Sequence, residues 1–248
     1  MNRLPINVFV IEHADGLVLF DAGQDWRCGV EPDYWPGGAI GVFYRRINRF
    51  HVSREDDLAD RLAAVGYRIE DVQKVALSHL HYDHVGYLRE LTHADIYVTP
   101  EELAILRKRA PSVHGVLRQE VDLPGLKWRT IEFAPTADPE LAPFTSAFDV
   151  AGDGSLVVLP TPGHTPGSSS LLVRRSAARA PLLLIGDLAY TLGTMRAGHV
   201  PGVGKRRALE EATRNVVGLK ERWPGLAILP THDPGTAARL EAATTSAP

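Results

Sequence analysis

Residues 78–86 read SHLHYDHVG and place three histidines and an aspartate within six consecutive positions, namely His79, His81, Asp83 and His84. The stretch follows an apolar run at 75–77, which is typical of a buried strand. His79 and His81 are two residues apart in an extended segment, so both can face one metal ion. Asp83 and His84 follow as the chain turns into a helix, so they face a different point. The stretch therefore predicts the beginnings of two metal sites.

Further His and Asp residues also follow apolar strands: Asp21, His164, Asp187 and His232. Ligands in α/β sheets bind beyond the carboxyl ends of the strands, where loops converge without disturbing the core. We therefore expect His164, Asp187 and His232 to complete the two sites, with Asp187 able to bridge because a carboxylate has two oxygens. Imidazole and carboxylate ligands suit borderline ions such as Zn²⁺. Taken singly, each of these residues could have an ordinary structural role. Together with the dense cluster at 79–84, such roles explain them poorly.

The composition excludes several other functions. The formal net charge of −3 and a pI near 6.4 argue against a nucleic-acid partner. Cys28 is the single cysteine, which excludes an intramolecular disulfide and a thiolate-rich zinc site. The sequence begins without a secretory signal and has no apolar run of about 18 residues, so we expect a soluble cytoplasmic protein with no membrane association.

Strand and helix signals alternate without a linker or a repeat, which predicts one α/β domain over residues 1–248. A hairpin is predicted in the first 23 residues, a helix at 54–65, strands before the histidine-rich stretch and at 94–98, and a helix starting at Thr99-Pro100. Strands are predicted to precede His164, Asp187 and His232, and an amphipathic helix is predicted around 209–219.

Residues 24–51 are rich in aromatic side chains and show no clean period, which predicts a long irregular segment. Substrate pockets are mostly apolar with a few placed polar groups. We therefore expect the wall of a substrate pocket to come from this segment and one later aromatic residue, namely Trp26, Trp35, Phe43, Tyr44 and Phe144. Covering a sheet edge or forming a homodimer contact are alternatives that the sequence leaves open.

The motifs FDAG at 20–23, HLHYDH at 79–84, TPGHTPG at 161–167, GD at 186–187 and THD at 231–233 together resemble the metallo-β-lactamase superfamily. The resemblance covers almost the whole chain. It implies a four-layer αββα sandwich with two metal ions at one edge of the paired sheets. It further implies that His79, His81 and His164 bind the first ion, that Asp83, His84 and His232 bind the second, that Asp187 bridges them, and that Asp21 orients the site from behind.

Within the superfamily, true β-lactamases typically have a cysteine where this chain has Asp187, which argues against antibiotic hydrolysis. IEHADGLVLFDAGQD at 11–25 and GDLAYT at 186–191 are most similar to the N-acyl-homoserine lactone lactonases, the quorum-quenching branch. Their pattern has a tyrosine three residues after the bridging aspartate, which is Tyr190 here. Two positions depart from the family pattern, because Ser168 replaces a frequent histidine and Tyr87 a frequent glycine, and both loosen the substrate assignment.

The resemblance implies a hydrolase in which two divalent metal ions, with zinc as the expected metal, hold a bridging hydroxide that attacks the lactone carbonyl. Tyr190 would donate a hydrogen bond to the carbonyl oxygen, and Asp83 would carry a proton to the leaving ring oxygen. The alternatives are a thioesterase of the glyoxalase II type, a phosphotriesterase, or a non-catalytic metal-binding protein. Glyoxalase II relatives carry a helical C-terminal substrate domain, which the residues after His232 are too few to supply.

Overall fold

A computed structural model of the protein describes residues 4–176 and 179–245. The chain divides into two compact units. The first unit comprises residues 8–98 and 103–129, and the second comprises the described residues of 1–7, 99–102 and 130–248. Each unit is described separately. One domain over residues 1–248 stays a prediction, and residues 1–3, 177–178 and 246–248 of that span lie outside the described residues.

The first unit contains a mixed five-stranded sheet. Its strands are β1 (Phe9–His13), β2 (Gly16–Phe20), β3 (Val72–Ala76), β4 (Asp95–Val98) and β5 (Lys127–Thr130), in the order β1-β2-β3-β4-β5. The predicted hairpin is confirmed, because β1 and β2 pair antiparallel. β2, β3 and β4 pair parallel, so their carboxyl ends lie along the same edge of the sheet. Asp21 and the histidine-rich stretch therefore leave the sheet from neighbouring strand ends.

The helices that begin in this part of the chain are α1 (Gly38–Ile47), α2 (Leu58–Ala64), α3 (Tyr82–Val85), α4 (Pro100–Leu106) and α5 (Arg118–Val121). The predicted helix at 54–65 is confirmed as a short 3-10 turn followed by α2, with the Asp57 carboxylate accepting from the Ala59 N–H at 3.0 Å. The predicted start at Thr99-Pro100 is confirmed by α4. The 3-10 helices of the described chain are Trp26–Gly29, Arg54–Asp56, Ile69–Asp71, Leu88–Glu90, Pro111–His114 and Pro139–Leu141.

The prediction of an irregular segment at 24–51 is wrong over α1 and the 3-10 helix before it. Tyr44 on α1 is buried, whereas Phe43 is 52% exposed. The apolar residues of α1 at positions 40, 43, 44 and 47 do recur at the spacing of one helix face, but segment 24–51 taken as a whole shows no period, which hid the helix. The ring of Tyr44 packs with those of Tyr34, Trp35, Phe50 and Tyr82 in one group, which we call the aromatic cluster.

The second unit contains a mixed six-stranded sheet. Its strands are β6 (Ala134–Pro135), β7 (Ser146–Asp149), β8 (Leu156–Pro160), β9 (Ser169–Val173), β10 (Leu182–Leu184) and β11 (Ala227–Leu229), in the order β11-β10-β9-β8-β7-β6. β8 and β10 both run antiparallel to β9, and β11 runs parallel to β10. β8, β10 and β11 therefore end at the same edge, and His164, Asp187 and His232 follow these three ends.

The helices of the second unit are α6 (Leu192–Arg196), α7 (Arg206–Arg222) and α8 (Thr236–Thr245). α7 confirms the amphipathic helix predicted around 209–219, and its buried residues are Leu209, Ala212, Val216 and Leu219. These side chains pack into the core of this unit together with residues of β8, β9 and β10. Within the described ranges, no helix combines the length and the apolar character that a membrane crossing needs.

Candidate metal centre

In the first unit, the histidine-rich stretch begins two residues after β3 ends, and α3 begins within it. The ring of His79 lies between two others, with its centre 4.5 Å from that of His81 and 4.1 Å from that of His84. An oxygen of the half-buried Asp83 lies 4.0 Å from Nε2 of His84. Three imidazoles and one carboxylate thus converge within one unit.

The buried carboxylate of Asp21 orients two of these imidazoles. Its Oδ1 accepts from the Ser78 N–H at 2.7 Å, and its Oδ2 accepts from Ser78 Oγ at 2.9 Å and from His84 Nδ1 at 2.8 Å. Because the Ser78 hydroxyl donates its proton to Asp21, its oxygen accepts from His79 Nδ1, 2.9 Å away. Both rings then carry their proton on Nδ1 and present the lone pair of Nε2, the form in which a histidine binds a metal.

The backbone around Asp21 is joined to the backbone of the histidine-rich stretch. Asp21 has a φ of 63°, a left-handed conformation that aspartate tolerates better than most residues. The Ala22 N–H donates to the carbonyl of His84 at 2.7 Å, and the Gly86 N–H donates to that of Gly23 at 2.8 Å. A Cβ at position 86 would lie 2.2 Å from a backbone nitrogen, so this close approach requires glycine.

In the second unit, the two oxygens of Asp187 face two different imidazoles. Oδ2 lies 3.4 Å from His164 Nε2, and Oδ1 lies 3.1 Å from His232 Nε2. His232 Nδ1 donates to the carbonyl of Pro5 at 2.8 Å, which fixes Nε2 as the nitrogen directed at Asp187. All three side chains are buried. One carboxylate with a histidine at each oxygen is the arrangement that a bridging ligand needs.

The loop that carries His164 is held at both ends. The buried Glu102 carboxylate accepts from the Gly167 N–H at 2.9 Å, and Thr99 Oγ1 donates to the Gly167 carbonyl at 2.9 Å. On the other side, the Lys205 N–H donates to the carbonyl of Gly163 at 2.7 Å. The sequence identified Thr99 and Glu102 only as a helix start, because nothing in their local pattern signals a contact with a loop 65 residues away.

Tyr190 lies beside both histidines of the second unit. Its ring centre is 6.1 Å from that of His164 and 5.6 Å from that of His232, edge to face in each case. The side chain is half-buried and follows Asp187 by three residues. Tyr190 thus adds a phenol to the same edge of the sheet as the three candidate ligands.

Asp233 stabilises the segment after Tyr190. The sequence marked this residue only as part of the THD motif. Its Oδ2 accepts from the Leu192 N–H at 2.7 Å and pairs with Arg239 at 2.7 Å, while Oδ1 accepts from the Gly235 N–H at 2.7 Å. Burial opposes the charge, but these donors outweigh it and lower the pKa of Asp233. The carboxylate therefore links the start of α6 to the turn that holds His232.

The aromatic residues expected around a substrate lie in different surroundings. Trp35 and Tyr44 are buried in the aromatic cluster, where their rings lie 5.2 Å and 5.3 Å from that of Tyr82. Trp26 packs on the core of the first unit and donates to the Asp57 carboxylate at 3.2 Å. Phe43 is exposed, and Phe144 is buried in the core of the second unit. Tyr82 and Phe50 were not among the expected residues.

The donor set fits divalent metal ions of the borderline class. The described residues that qualify as ligands are His79, His81, Asp83 and His84 in the first unit, and His164, Asp187 and His232 in the second. All offer imidazole nitrogen or carboxylate oxygen, which Zn²⁺ accepts. Burial raises the pKa of the Cys28 thiol to about 12, so it stays protonated and is unsuited to metal binding.

Residues 1–234 match the family described as the metallo-beta-lactamase superfamily. The chain belongs to this superfamily. The resemblance seen in the sequence is thereby confirmed, as is the metallo-beta-lactamase fold of the α/β class with two mixed sheets.

Curated members of the superfamily that are similar to this chain include proteins named N-acyl homoserine lactonase AttM. The protein from Rhizobium radiobacter is 32% identical over 201 residues, which cover 81% of this chain and 71% of that protein. The protein from Azorhizobium caulinodans is 30% identical over 237 residues, which cover 94% of this chain and 83% of that protein.

Solved structures of the superfamily share the fold at lower identity. An N-acyl homoserine lactone hydrolase with the product N-hexanoyl-L-homoserine bound at the catalytic metal center has a TM-score of 0.72 and 22% identity, covering 95% of this chain and 84% of that chain. AidC, a dizinc quorum-quenching lactonase in complex with a product, has a TM-score of 0.60 and 16% identity. The match covers 93% of this chain and 73% of that chain.

Replacing Asp21 by Asn tests its role in orienting the histidines. Asn has the same shape and tolerates the left-handed backbone, but its NH2 group is a donor and cannot accept, so Asn cannot satisfy the Ser78 N–H, Ser78 Oγ and His84 Nδ1 together. We expect Asp21→Asn to weaken zinc binding by about 10- to 100-fold, the range typical of residues that orient metal ligands. Competition with a chromophoric chelator measures the affinity.

The matched control for this experiment is Asp60→Asn, because Asp60 is exposed on α2. The control should keep the affinity of the unmodified protein. An Asp21→Asn protein that is folded and binds zinc as tightly as the control would show that Asp21 does not orient the ligands.

Proposed function

We propose that the protein is a dinuclear-metal hydrolase that opens the lactone ring of N-acyl-homoserine lactones. The observation that carries this proposal is the pair of contacts at Asp187, whose two oxygens face His164 and His232 separately. A carboxylate placed in this way suits two ions rather than one. The similarity to curated N-acyl homoserine lactonases supplies the substrate class.

The proposed ligand sets follow the superfamily pattern. His79, His81 and His164 would hold one ion, Asp83, His84 and His232 would hold the other, and Asp187 would bridge them. The contact of Asp83 with His84 supports placing these two on one ion. His79 lies close to both His81 and His84, so its place with the first ion follows the superfamily pattern alone. Zinc is the proposed metal for both positions, since the donors are imidazole and carboxylate.

When bound, two such ions would supply Lewis acidity, which lowers the pKa of water and polarises an ester carbonyl. The net reaction adds the oxygen of water to the lactone carbonyl carbon and breaks the bond from that carbon to the ring oxygen. The chain's own contribution is to orient the ligands through Asp21 and Ser78 and to provide groups that manage charge and protons.

Tyr190 and Asp83 are the proposed groups of this kind. Tyr190 would donate a hydrogen bond to the carbonyl oxygen as negative charge develops there, which its position between His164 and His232 supports. Asp83 would accept the proton of the attacking water at a carboxylate oxygen and pass it to the ring oxygen that leaves. Its half-buried position gives it access to solvent.

The acyl chain of the substrate would contact an apolar wall, for which we propose Trp26, Trp35, Phe43, Tyr44 and Phe144. Of these, Phe43 is the most exposed and so the most available to a ligand. Trp35 and Tyr44 present less surface and would act by holding the wall in place. A small-molecule partner, rather than a nucleic acid, agrees with the slightly acidic net charge. The cytoplasmic location and the homodimer stay predictions.

A substrate panel tests the proposed reaction. Zinc-loaded protein should hydrolyse N-acyl-homoserine lactones with kcat/KM in the range of ordinary enzymes, about 10⁴ M⁻¹s⁻¹ or above. Thioesters of the glyoxalase II type and phosphotriesters should be much poorer substrates. Turnover of either of these classes without any lactone hydrolysis would overturn the lactonase assignment, and inactivity on all classes would favour a metal-binding protein.

Replacing Tyr190 by Phe tests the proposed hydrogen bond to the carbonyl oxygen. Tyr190→Phe should lower kcat for lactones by about 100-fold, the lower end of the loss seen when one such donor is removed. The zinc content should not change, because Tyr190 is not a proposed ligand. Stopped-flow or pH-indicator assays measure the rate.

The control for this substitution is Tyr67→Phe, which removes a hydroxyl that donates to Glu12 in the β1–β2 hairpin. Its kinetics should match those of the unmodified protein. If Tyr190→Phe also keeps the original kcat, Tyr190 serves only in packing.

A further inference from the structure

A glycine lies directly against one of the candidate ligands of the first unit. Gly115 follows the 3-10 helix Pro111–His114, and a Cβ at its position would lie 2.4 Å from Cδ2 and 2.7 Å from Nε2 of His81. The backbone of Gly115 therefore lies directly against the Cδ2–Nε2 edge of the His81 imidazole. Gly115 stands 34 positions away from His81 and belongs to none of the motifs recognised in the sequence.

The size of this contact decides what a side chain at position 115 would do. A separation of 2.4 Å must open by about 1 Å to reach ordinary van der Waals contact. The atoms that can give way are those of the His81 ring, because the opposing group is the backbone of a tight turn. Metal–ligand distances tolerate only about 0.2 Å, so a ring displaced by this much is no longer placed to bind.

The turn that contains Gly115 is attached to the aromatic cluster. The Tyr44 hydroxyl donates to the carbonyl of Ser112, and the Gly115 N–H donates to the same carbonyl at 3.2 Å. The Tyr82 N–H donates to the carbonyl of Gly115 at 3.2 Å. Because Tyr82 follows His81 in the chain, this hydrogen bond fixes the distance between the turn and the imidazole.

We propose that Gly115 is a positioning residue for metal coordination by His81. Its missing side chain leaves the space that the imidazole occupies, and the aromatic cluster holds the turn at that distance through Tyr44 and Tyr82. The inference rests on the proposed dinuclear site and deepens it: a change at position 115 should weaken the ion bound by His79, His81 and His164 while sparing the ion bound by the other set.

The test compares two glycines that share a backbone conformation but differ in surroundings. Gly115 has a φ of +78° and Gly66 has a φ of +91°, so alanine is strained at both positions. Nothing lies within 4 Å of a Cβ at Gly66, whereas at Gly115 the added methyl meets His81. Gly115→Ala and Gly66→Ala thus both place a methyl group on a left-handed backbone, and only the first disturbs the ligand.

The measurement is a Co²⁺ titration of metal-free protein followed by the visible absorption of the bound ion, with thermal unfolding recorded in parallel. The unmodified protein and Gly66→Ala should bind two ions. Gly115→Ala should bind one of the two ions at least 10-fold more weakly, with an altered spectrum for that ion, while unfolding within a few degrees of Gly66→Ala.

Equal affinities and spectra for the two variants would overturn the positioning role. If Gly115→Ala does not fold, Tyr44→Phe decides, because it frees the turn without adding a methyl: the proposal expects one weakened ion, and unchanged binding contradicts it. Failure of the proposed function has a different outcome, since the unmodified protein itself would then bind no second ion or leave lactones intact.

Discussion

The hydrogen bonds of the buried Asp21 carboxylate are the constraint on which the histidine-rich stretch depends. Two parallel strands, β2 and β3, end side by side, and Asp21 at the end of one accepts from Ser78 at the end of the other. The same carboxylate accepts from His84, and the Ser78 hydroxyl oxygen in turn accepts from His79 and orients its ring. A carboxylate that accepts several hydrogen bonds compensates for its own burial. The pairing of β2 with β3 thereby determines where Nε2 of His79 and Nε2 of His84 point.

The second unit applies the same principle with other residues. Three strands that run in one direction deliver His164, Asp187 and His232 to one edge, and further contacts then hold the loop of His164 and the ring of His232. Glu102 holds the loop of His164, and the Pro5 carbonyl orients His232. In both units the ligands lie just beyond strand ends, in loops or in the short helix α3, and Asp21, Glu102 and Pro5 support them from positions distant in the sequence. The type of each ligand is therefore visible in the local sequence, whereas its orientation depends on residues that are distant in the sequence.

This division explains what could be predicted from the sequence. Apolar runs followed by His or Asp placed all five strand ends correctly, because burial imposes a pattern that each strand carries within itself. α7 was predictable for the same reason. α1 was missed, because segment 24–51 taken as a whole shows no period and this hides the helical spacing at positions 40, 43, 44 and 47. Ser78, Glu102 and Gly115 were not identified, because each acts on a residue brought close only by folding, and no local signal marks such a contact.

The proposed dinuclear centre requires that Asp187 bind two metal ions. Anomalous diffraction at the zinc absorption edge from crystals of zinc-loaded protein tests this most directly. We expect two peaks per chain, one bound by Asp187 together with His164 and the other by Asp187 together with His232. A single peak, or two peaks of which only one contacts Asp187, would contradict a bridged dinuclear centre whatever the activity of the protein.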